Sequence, residues 1–372
     1  MKVLYIGHYK EGTGWSNAAI NYILALDAIG VDVVCRNVKL TNTLCHIPHR
    51  ILELETKTCN NIDYCIQHVL PHHLVGTTKF KKNIAYFVNE SYPIDKLAWF
   101  DNLKLMDEIW VPNNTNRDDI LNCDNNLKVK VIPHTFELAK YKLKYPKINF
   151  NISNSNFKFY TIADLNDRKN LNTIIRCFYS EFASDEPVSL VLKLKKYGLS
   201  YVELAHLVKK EIDYIKKNMR IYGNINSYTE ELVITTDMDE DQLYGLHQSC
   251  DCFIGPSHGE GWSIPAFEAM CFGKTPICSK EGGPELFIPK DNKNCGTLID
   301  GIYGICDHSD PSFPELFSGN QHWFIPSDIE IKKAMRYYYE NKDKINRQDG
   351  LKHAEAYSFE NIGNLIKDSL ND

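Results

Sequence analysis

Apolar positions along the first forty residues fall into two patterns. Lys2–Ile6 is a short, nearly continuous apolar run, followed by a loop carrying Gly7, Gly12 and Gly14. Trp15, Ala18, Ala19, Tyr22, Ile23 and Leu26 then recur at intervals of three and four, which is one face of a helix. Gly30 stops that helix, and Val31–Cys35 reads as a second buried strand. A strand, loop, helix and strand in this order make the repeating unit of doubly wound parallel sheets. Further strand-like runs lie at Lys82–Val88, Glu108–Val111 and Val129–Ile132, so the first lobe ends near residue 137. Residues 138–156 lose apolar periodicity and finish in an Asn/Ser-rich stretch. The pattern predicts a domain over 1–140, a linker over 141–156 and a second α/β domain over 157–356. The strands of the second domain are predicted at Lys158–Ala163, Ser189–Leu194, Cys252–Gly255 and Thr275–Cys278, with an inserted helix around 201–217. Phe359–Leu370 is amphipathic, and a last helix over about 357–372 is expected, with packing back onto the first domain left open.

A length of 372 residues agrees with two domains. Hydrophobic residues at 43% and charged residues at 24% are ordinary for a folded globular chain. The net charge of −6 gives no global field for a polyanion. The short clusters Lys79-Phe-Lys81-Lys82 and Lys193-Leu-Lys195-Lys196 read as solvated faces. No signal peptide or stretch of membrane-spanning length is visible, so a cytoplasmic protein without stable membrane insertion is expected, peripheral membrane contact being left open. The twelve cysteines are scattered and several sit in apolar runs, which predicts reduced core thiols. Cys45, His46 and His49 come nearest to a metal cluster but lack paired Cys-x-x-Cys spacing, and no metal is expected.

The stretch richest in chemistry is Gly255-Pro-Ser-His-Gly-Glu-Gly-Trp-Ser-Ile-Pro-Ala-Phe-Glu-Ala-Met270. A buried strand end runs into a glycine-bearing loop and then a helix, for which Ser263 and Pro265 suit the cap and first turn. N–H groups at such a helix start favour a phosphate or sugar oxygen. Glu260 lies in the loop and Glu268 about one turn into the helix; ionised carboxylates only accept hydrogen bonds, which suits them to vicinal hydroxyls.

These residues resemble the Glu-x7-Glu pattern, within its Pro-Ser…Glu-Gly-Phe/Trp-Gly-x-Pro…Glu-Ala-Met frame, of the retaining glycosyltransferases of family four. Ser263 stands where that frame has glycine. The resemblance implies the GT-B fold, an α/β architecture of two Rossmann-like doubly wound domains facing across a cleft. The acceptor side would be the first domain and the nucleotide-sugar site the second. It implies that Glu260 contacts hydroxyls of the donor sugar and Glu268 the nucleotide ribose, with Gly261, Trp262 and Ser263 in the same donor loop.

Asp167-Arg168-Lys169-Asn170-Leu171 resembles the family's Pro-Arg-Lys-Asn-Leu segment. This implies Lys169, beside Arg168, on the donor diphosphate, where a cation offsets the charge of the departing nucleoside diphosphate without a metal. The second basic residue that often lies a few positions earlier is missing, Ala163 and Asp164 taking its place. Gly12-Thr-Gly14-Trp-Ser resembles the family's N-terminal glycine-rich loop, which faces the diphosphate and acceptor. Asn17 at the third position departs from the Gly-x-Gly-x-x-Gly of dehydrogenases. Many members carry a functional histidine after a central strand of the first domain; here Asn89-Glu90-Ser91 follows Ile84–Val88, which makes Glu90 the candidate for that work. Gly282-Gly283-Pro-Glu285 resembles the family's loop beside the diphosphate, where Gly283 would let backbone approach the donor. Ile132-Pro133-His134 resembles the segment closing the first domain, with His134 structural, and Trp323–Asp328 resembles a Trp-x-x-Pro-Asp segment.

Asp237-Met-Asp239 has the form of a metal-binding Asp-x-Asp, but Asp239 with Gln242 three residues on is a capping-box start for a helix, which accounts for the acids without metal. The sequence thus predicts a hexosyl- or pentosyltransferase that takes a UDP- or GDP-sugar as substrate, needs no separate cofactor, and has Glu260, Lys169 and Glu90 at the chemistry. Retention of configuration is implied by the resemblance. The acceptor stays open among glycan, lipid-linked, protein and nucleic-acid hydroxyls. The competing readings are another GT-B enzyme, an epimerase or phosphorylase, and a non-catalytic sugar-nucleotide-binding protein.

Overall fold

The computed structural model describes residues 1–40, 45–153, 155–306 and 315–372. The chain divides into two compact units, Met1–Leu138 with Ala354–Asp372, and Ala139–His353.

The first unit is built on a six-stranded sheet of β1 (Lys2–Gly7), β2 (Asp32–Asn37), β3 (Tyr64–His68), β4 (Lys82–Tyr86), β5 (Glu108–Val111) and β6 (Val129–Val131), in the order β2-β1-β3-β4-β5-β6. Every pairing is parallel. Parallel sheets are covered on both faces, which is why their strands read as continuous apolar runs; Val3, Val33, Ile84 and Ile109 are buried. The sequence reading missed β3, because Gln67 and His68 interrupt its apolar run although both are buried. The Gln67 side chain resolves that conflict by trading hydrogen bonds with the Val75 backbone, at 2.7 and 3.0 Å.

The last helix, Phe359–Asn371, belongs to the first unit and packs along the helix Gly14–Ala28. Gly363 permits the approach: a Cβ there would lie 2.9 Å from the Ala25 carbonyl oxygen. The chain returns to this unit through a bridge from Phe136 to Ser358 and a hydrogen bond from the Phe136 N–H to the Tyr357 carbonyl at 3.0 Å.

The second unit repeats the plan with β7 (Phe157–Asp164), β8 (Val188–Lys195), β9 (Glu231–Ile234), β10 (Cys252–Gly255), β11 (Ile277–Ser279) and β12 (Thr297–Ile299), ordered β12-β11-β10-β7-β8-β9 and all parallel. The hairpin β13 (Gly301–Ile305) and β14 (His322–Pro326) is additional. β9 and β12 were not predicted: they are sheet edges of four and three residues, too short for a pattern to show. Residues expected as a linker include Tyr141 and Phe150, both buried, and the Tyr141 ring packs edge-on against Tyr244 and Phe272 within the second unit. Two capping boxes form as their sequences ask, Ser200/Glu203 before the helix Tyr201–Met219 and Asp239/Gln242 before the helix Glu240–Ser249.

In the second sheet the winding direction reverses between β7 and β10, and in the first between β1 and β3. In open α/β sheets the loops at the carboxyl ends of the strands flanking such a reversal form a crevice suited to a ligand.

Candidate active site at the reversal point of the second sheet

The loops following β7 and β10 carry the predicted motifs, and the structure laces them together. After β7, Asn166 caps a single helical turn, Asp167–Lys169, and Asn170 follows in the left-handed region at φ 57°. Its side-chain amide donates to the Pro256 carbonyl at 3.0 Å, and the His258 N–H donates to the Arg168 carbonyl at 2.8 Å. This crossing brings Lys169 and Glu260, ninety-one residues apart, into contact: Lys169 Nζ donates to Glu260 Oε1 at 2.6 Å. Ser257 Oγ donates to the same oxygen at 2.7 Å. Arg168 Nη1 lies 3.6 Å from Glu260 Oε2 and donates to the Gly259 carbonyl at 2.7 Å.

Glu260 is buried. Burial by itself would raise its carboxyl pKa; Lys169, Arg168 and the hydrogen bonds from Lys169 and Ser257 outweigh that and hold it below the usual value. The carboxylate is therefore a fixed, ionised acceptor. Lys169 spends one of its three N–H donors on it.

Gly282 and Gly283 are present for a tight crossing. A Cβ on Gly282, at φ 80°, would sit 2.0 Å from the Glu260 carbonyl oxygen, and one on Gly283 would sit 2.3 Å from Trp262 Cα. These glycines bring their loop against the backbone of Glu260 and Trp262. Trp262, expected at the donor, has its ring buried against Phe287 and Phe267, so its side chain packs the core beneath the loop. Gly261 lies between the two, in the loop itself.

Ser263 corrects another expectation. It precedes the helix Ile264–Cys271 but makes no side-chain capping bond, because its backbone is left-handed at φ 68° and ψ 68°. That conformation is the one glycine adopts without strain. Glu268, half-buried in the same helix, has its Oε2 3.5 Å from His247 Nε2.

The corresponding loops of the first unit are of another kind. Gly12 is left-handed at φ 64°, Thr13 caps the helix by accepting from the Ser16 N–H at 3.2 Å, and Gly14 begins that helix. Trp15 is half-buried with its ring centroid 5.0 Å from that of His68, which emerges from β3. His68 Nδ1 pairs with the Tyr5 hydroxyl at 2.8 Å, and His134 Nδ1 lies 2.9 and 3.1 Å from the hydroxyls of Tyr22 and Tyr86. Burial pushes His68 well down and His134 down to about 3, so both imidazoles are neutral. Glu90 is half-buried in the loop after β4, next to Asn89, whose amide donates to Asp119 at 2.7 Å. Sequence reasoning gave no role to Ser257 or His247; Ser257 was readable from its place three residues before Glu260, whereas His247 needs the fold.

All twelve cysteines are free thiols. No group of three or more potential metal ligands occurs among the described residues. Among them, too, no helix is long and apolar enough to cross a membrane.

Residues 147–301 match the family model described as glycosyl transferases group 1. The second unit is similar to that family. Solved structures align over all of this chain. HepE of Anabaena in complex with UDP-glucose does so at 12% identity and a TM-score of 0.62, with 99% of its own chain covered. The E. coli trehalose-6-phosphate structure bound with UDP-2-fluoro glucose reaches 10% and 0.67, with 99% covered. Sucrose-phosphate synthase from Thermosynechococcus elongatus reaches 13% and 0.64, with 98% covered. The chain has the GT-B glycosyltransferase fold. A search of curated proteins found no match.

Proposed function

We propose that the chain is a glycosyltransferase that moves a sugar from a nucleoside-diphosphate sugar to an acceptor hydroxyl, with retention of configuration and without a metal ion. The observation that carries this reading is the junction of Lys169, Arg168, Ser257 and Glu260 at the reversal point of the second sheet, inside the segment that matches the glycosyl transferases group 1 model. It places fixed cations beside a fixed carboxylate, the pair a sugar diphosphate needs. UDP and UDP-sugars in the complexes of fold relatives support a nucleotide-sugar donor, and UDP is the first nucleotide to try.

In the proposed reaction the bond from the anomeric carbon to the diphosphate oxygen breaks, and its electron pair leaves with the diphosphate. Lys169 and Arg168 offset that charge. The acceptor oxygen attacks the same face, and its proton passes to the departing phosphate oxygen. Glu260 Oε2 accepts from sugar hydroxyls while Lys169 and Ser257 hold Oε1, Glu268 accepts from the ribose, and Glu90 takes the first-domain role that resembled enzymes give to histidine.

The two glutamates test the reading because they should fail differently. Glu268→Ala should weaken UDP and UDP-sugar alike, by about 1.5–3 kcal/mol for a charged hydrogen bond. Glu260→Ala should leave UDP binding nearly normal while the intact donor loses affinity or turnover roughly tenfold or more. Calorimetry with both ligands reads the difference, and equal loss of UDP binding in the two variants rejects the assignment. Turnover in the presence of a chelator should be unchanged; loss restored by manganese would reject metal independence.

A further inference from the structure

Glu268 has a buried neighbour to which no motif pointed. His247, on the helix Glu240–Ser249, is wholly buried, with its ring stacked on Phe272 at a centroid distance of 5.6 Å. Its Nδ1 lies 2.6 Å from the hydroxyl of Tyr160, a buried residue of β7. Its Nε2 makes no hydrogen bond within the protein and faces Glu268 Oε2 from 3.5 Å. A buried ring nitrogen without a partner is costly and therefore uncommon. The tautomer follows from the two neighbours. A lone pair on Nε2 would point at the carboxylate and be repelled, so the proton belongs on Nε2, and the Tyr160 hydroxyl donates to Nδ1.

We propose that His247 is a positioning residue, held in one tautomer by Tyr160, whose Nε2–H anchors one oxygen of Glu268 and so aims the other at the ribose diol of the nucleotide. A small rotation of the carboxylate closes the 3.5 Å gap to hydrogen-bond distance. This rests on the reading of Glu268 as the ribose acceptor, and it makes ribose recognition depend on a layer behind the carboxylate.

The test compares the full chain and its variants, by calorimetry, on UDP and on 2′,3′-dideoxy-UDP. The unmodified chain should prefer UDP by about tenfold or more, the loss expected from removing a charged hydrogen bond. His247→Phe keeps a ring against Phe272 and removes the donor; it should weaken UDP severalfold to tenfold, leave dideoxy-UDP unchanged, and raise KM for the donor with little change in kcat. His247→Gln, which can return an N–H, should recover part of the preference. Equal weakening of both nucleotides in His247→Phe makes His247 a packing residue and overturns the proposal. If the unmodified chain binds both nucleotides equally or binds neither, the assignment of Glu268 to ribose falls first and the proposal with it. Should His247→Phe fail to fold, Tyr160→Phe decides: it must reduce the preference for UDP without affecting dideoxy-UDP, and an unchanged preference overturns the proposal.

Discussion

The two sheet reversals face the same topological situation and solve it with opposite electrostatics. At the second, charged side chains from two loops neutralise one another: Lys169, Arg168 and Glu260 meet within 4 Å, and the carboxyl stays ionised despite burial. At the first, the polar groups are buried imidazoles and phenols, kept neutral and tied by hydrogen bonds between Tyr5 and His68 and between His134 and the hydroxyls of Tyr22 and Tyr86. A charged junction is strong against a polyanionic ligand but collapses when one member is removed. A neutral network tolerates burial at neutral pH and becomes a liability in acid.

The charged junction should give the largest response. Lys169→Ala should lower turnover roughly 10²- to 10³-fold, the usual cost of losing a group that stabilises transition-state charge. Leaving Glu260 with a weaker partner should also cost about 1–3 kcal/mol of stability. Adding Glu260→Gln to that variant should restore most of the melting temperature and none of the activity. If the double variant melts no higher than the single one, the junction is not the source of the instability.

Acid separates the two regions next. His134 has a folded pKa of about 3, far below an unfolded value near 6.5, so between these values the unfolded chain takes up a proton that the folded chain refuses. Its contribution to stability is complete above about pH 6.5 and is lost as pH falls toward 3, at up to about 1.4 kcal/mol per pH unit. The lowered Glu260 contributes stability that is present above the unfolded carboxyl value near 4.3 and is lost only as pH falls through its folded pKa. Denaturant titrations between pH 6 and 4 should thus weaken the first region before the second, and His134→Asn should flatten the slope. An unchanged slope would mean that the imidazole is already protonated when folded.

The smallest effect is expected at Ser263. Glycine there relieves left-handed strain of about 1–2 kcal/mol for a residue with a side chain, against about 0.5–1 kcal/mol of added freedom in the unfolded chain. Ser263→Gly should therefore raise stability by about 0.5–1 kcal/mol, seen as a higher melting temperature; no rise would show that the serine hydroxyl compensates by a contact of its own.

Legibility in the sequence follows the same division. Lys169 and Glu260 were singled out through their resemblance to a family motif, and of the strands between them β8 and β10 were readable as unbroken apolar runs while the short edge strand β9 was not. β3 was missed because Gln67 and His68 are buried polar residues whose partners, the Val75 backbone and the Tyr5 hydroxyl, come from elsewhere in the fold. His247 was hidden for the same reason. On its helix it takes one more place on a buried face, and only the approach of β7 and the helix Ile264–Cys271 gives it Tyr160 and Glu268. The ring of Trp262 shows the same dependence on the fold: its packing against Phe267 and Phe287 was not readable from its motif position.

The return of Ala354–Asp372 to the first unit sets an order of events during synthesis. The second unit is one uninterrupted stretch of chain, so all of its strands are made before the ribosome reaches the helix Phe359–Asn371. The first unit starts earlier and finishes later, because the helix Gly14–Ala28 keeps an apolar flank uncovered until those final residues emerge. For that interval the nascent chain carries a second unit whose strands are all made and a first unit with an apolar flank still uncovered, and such exposed apolar surface is where misassembly starts.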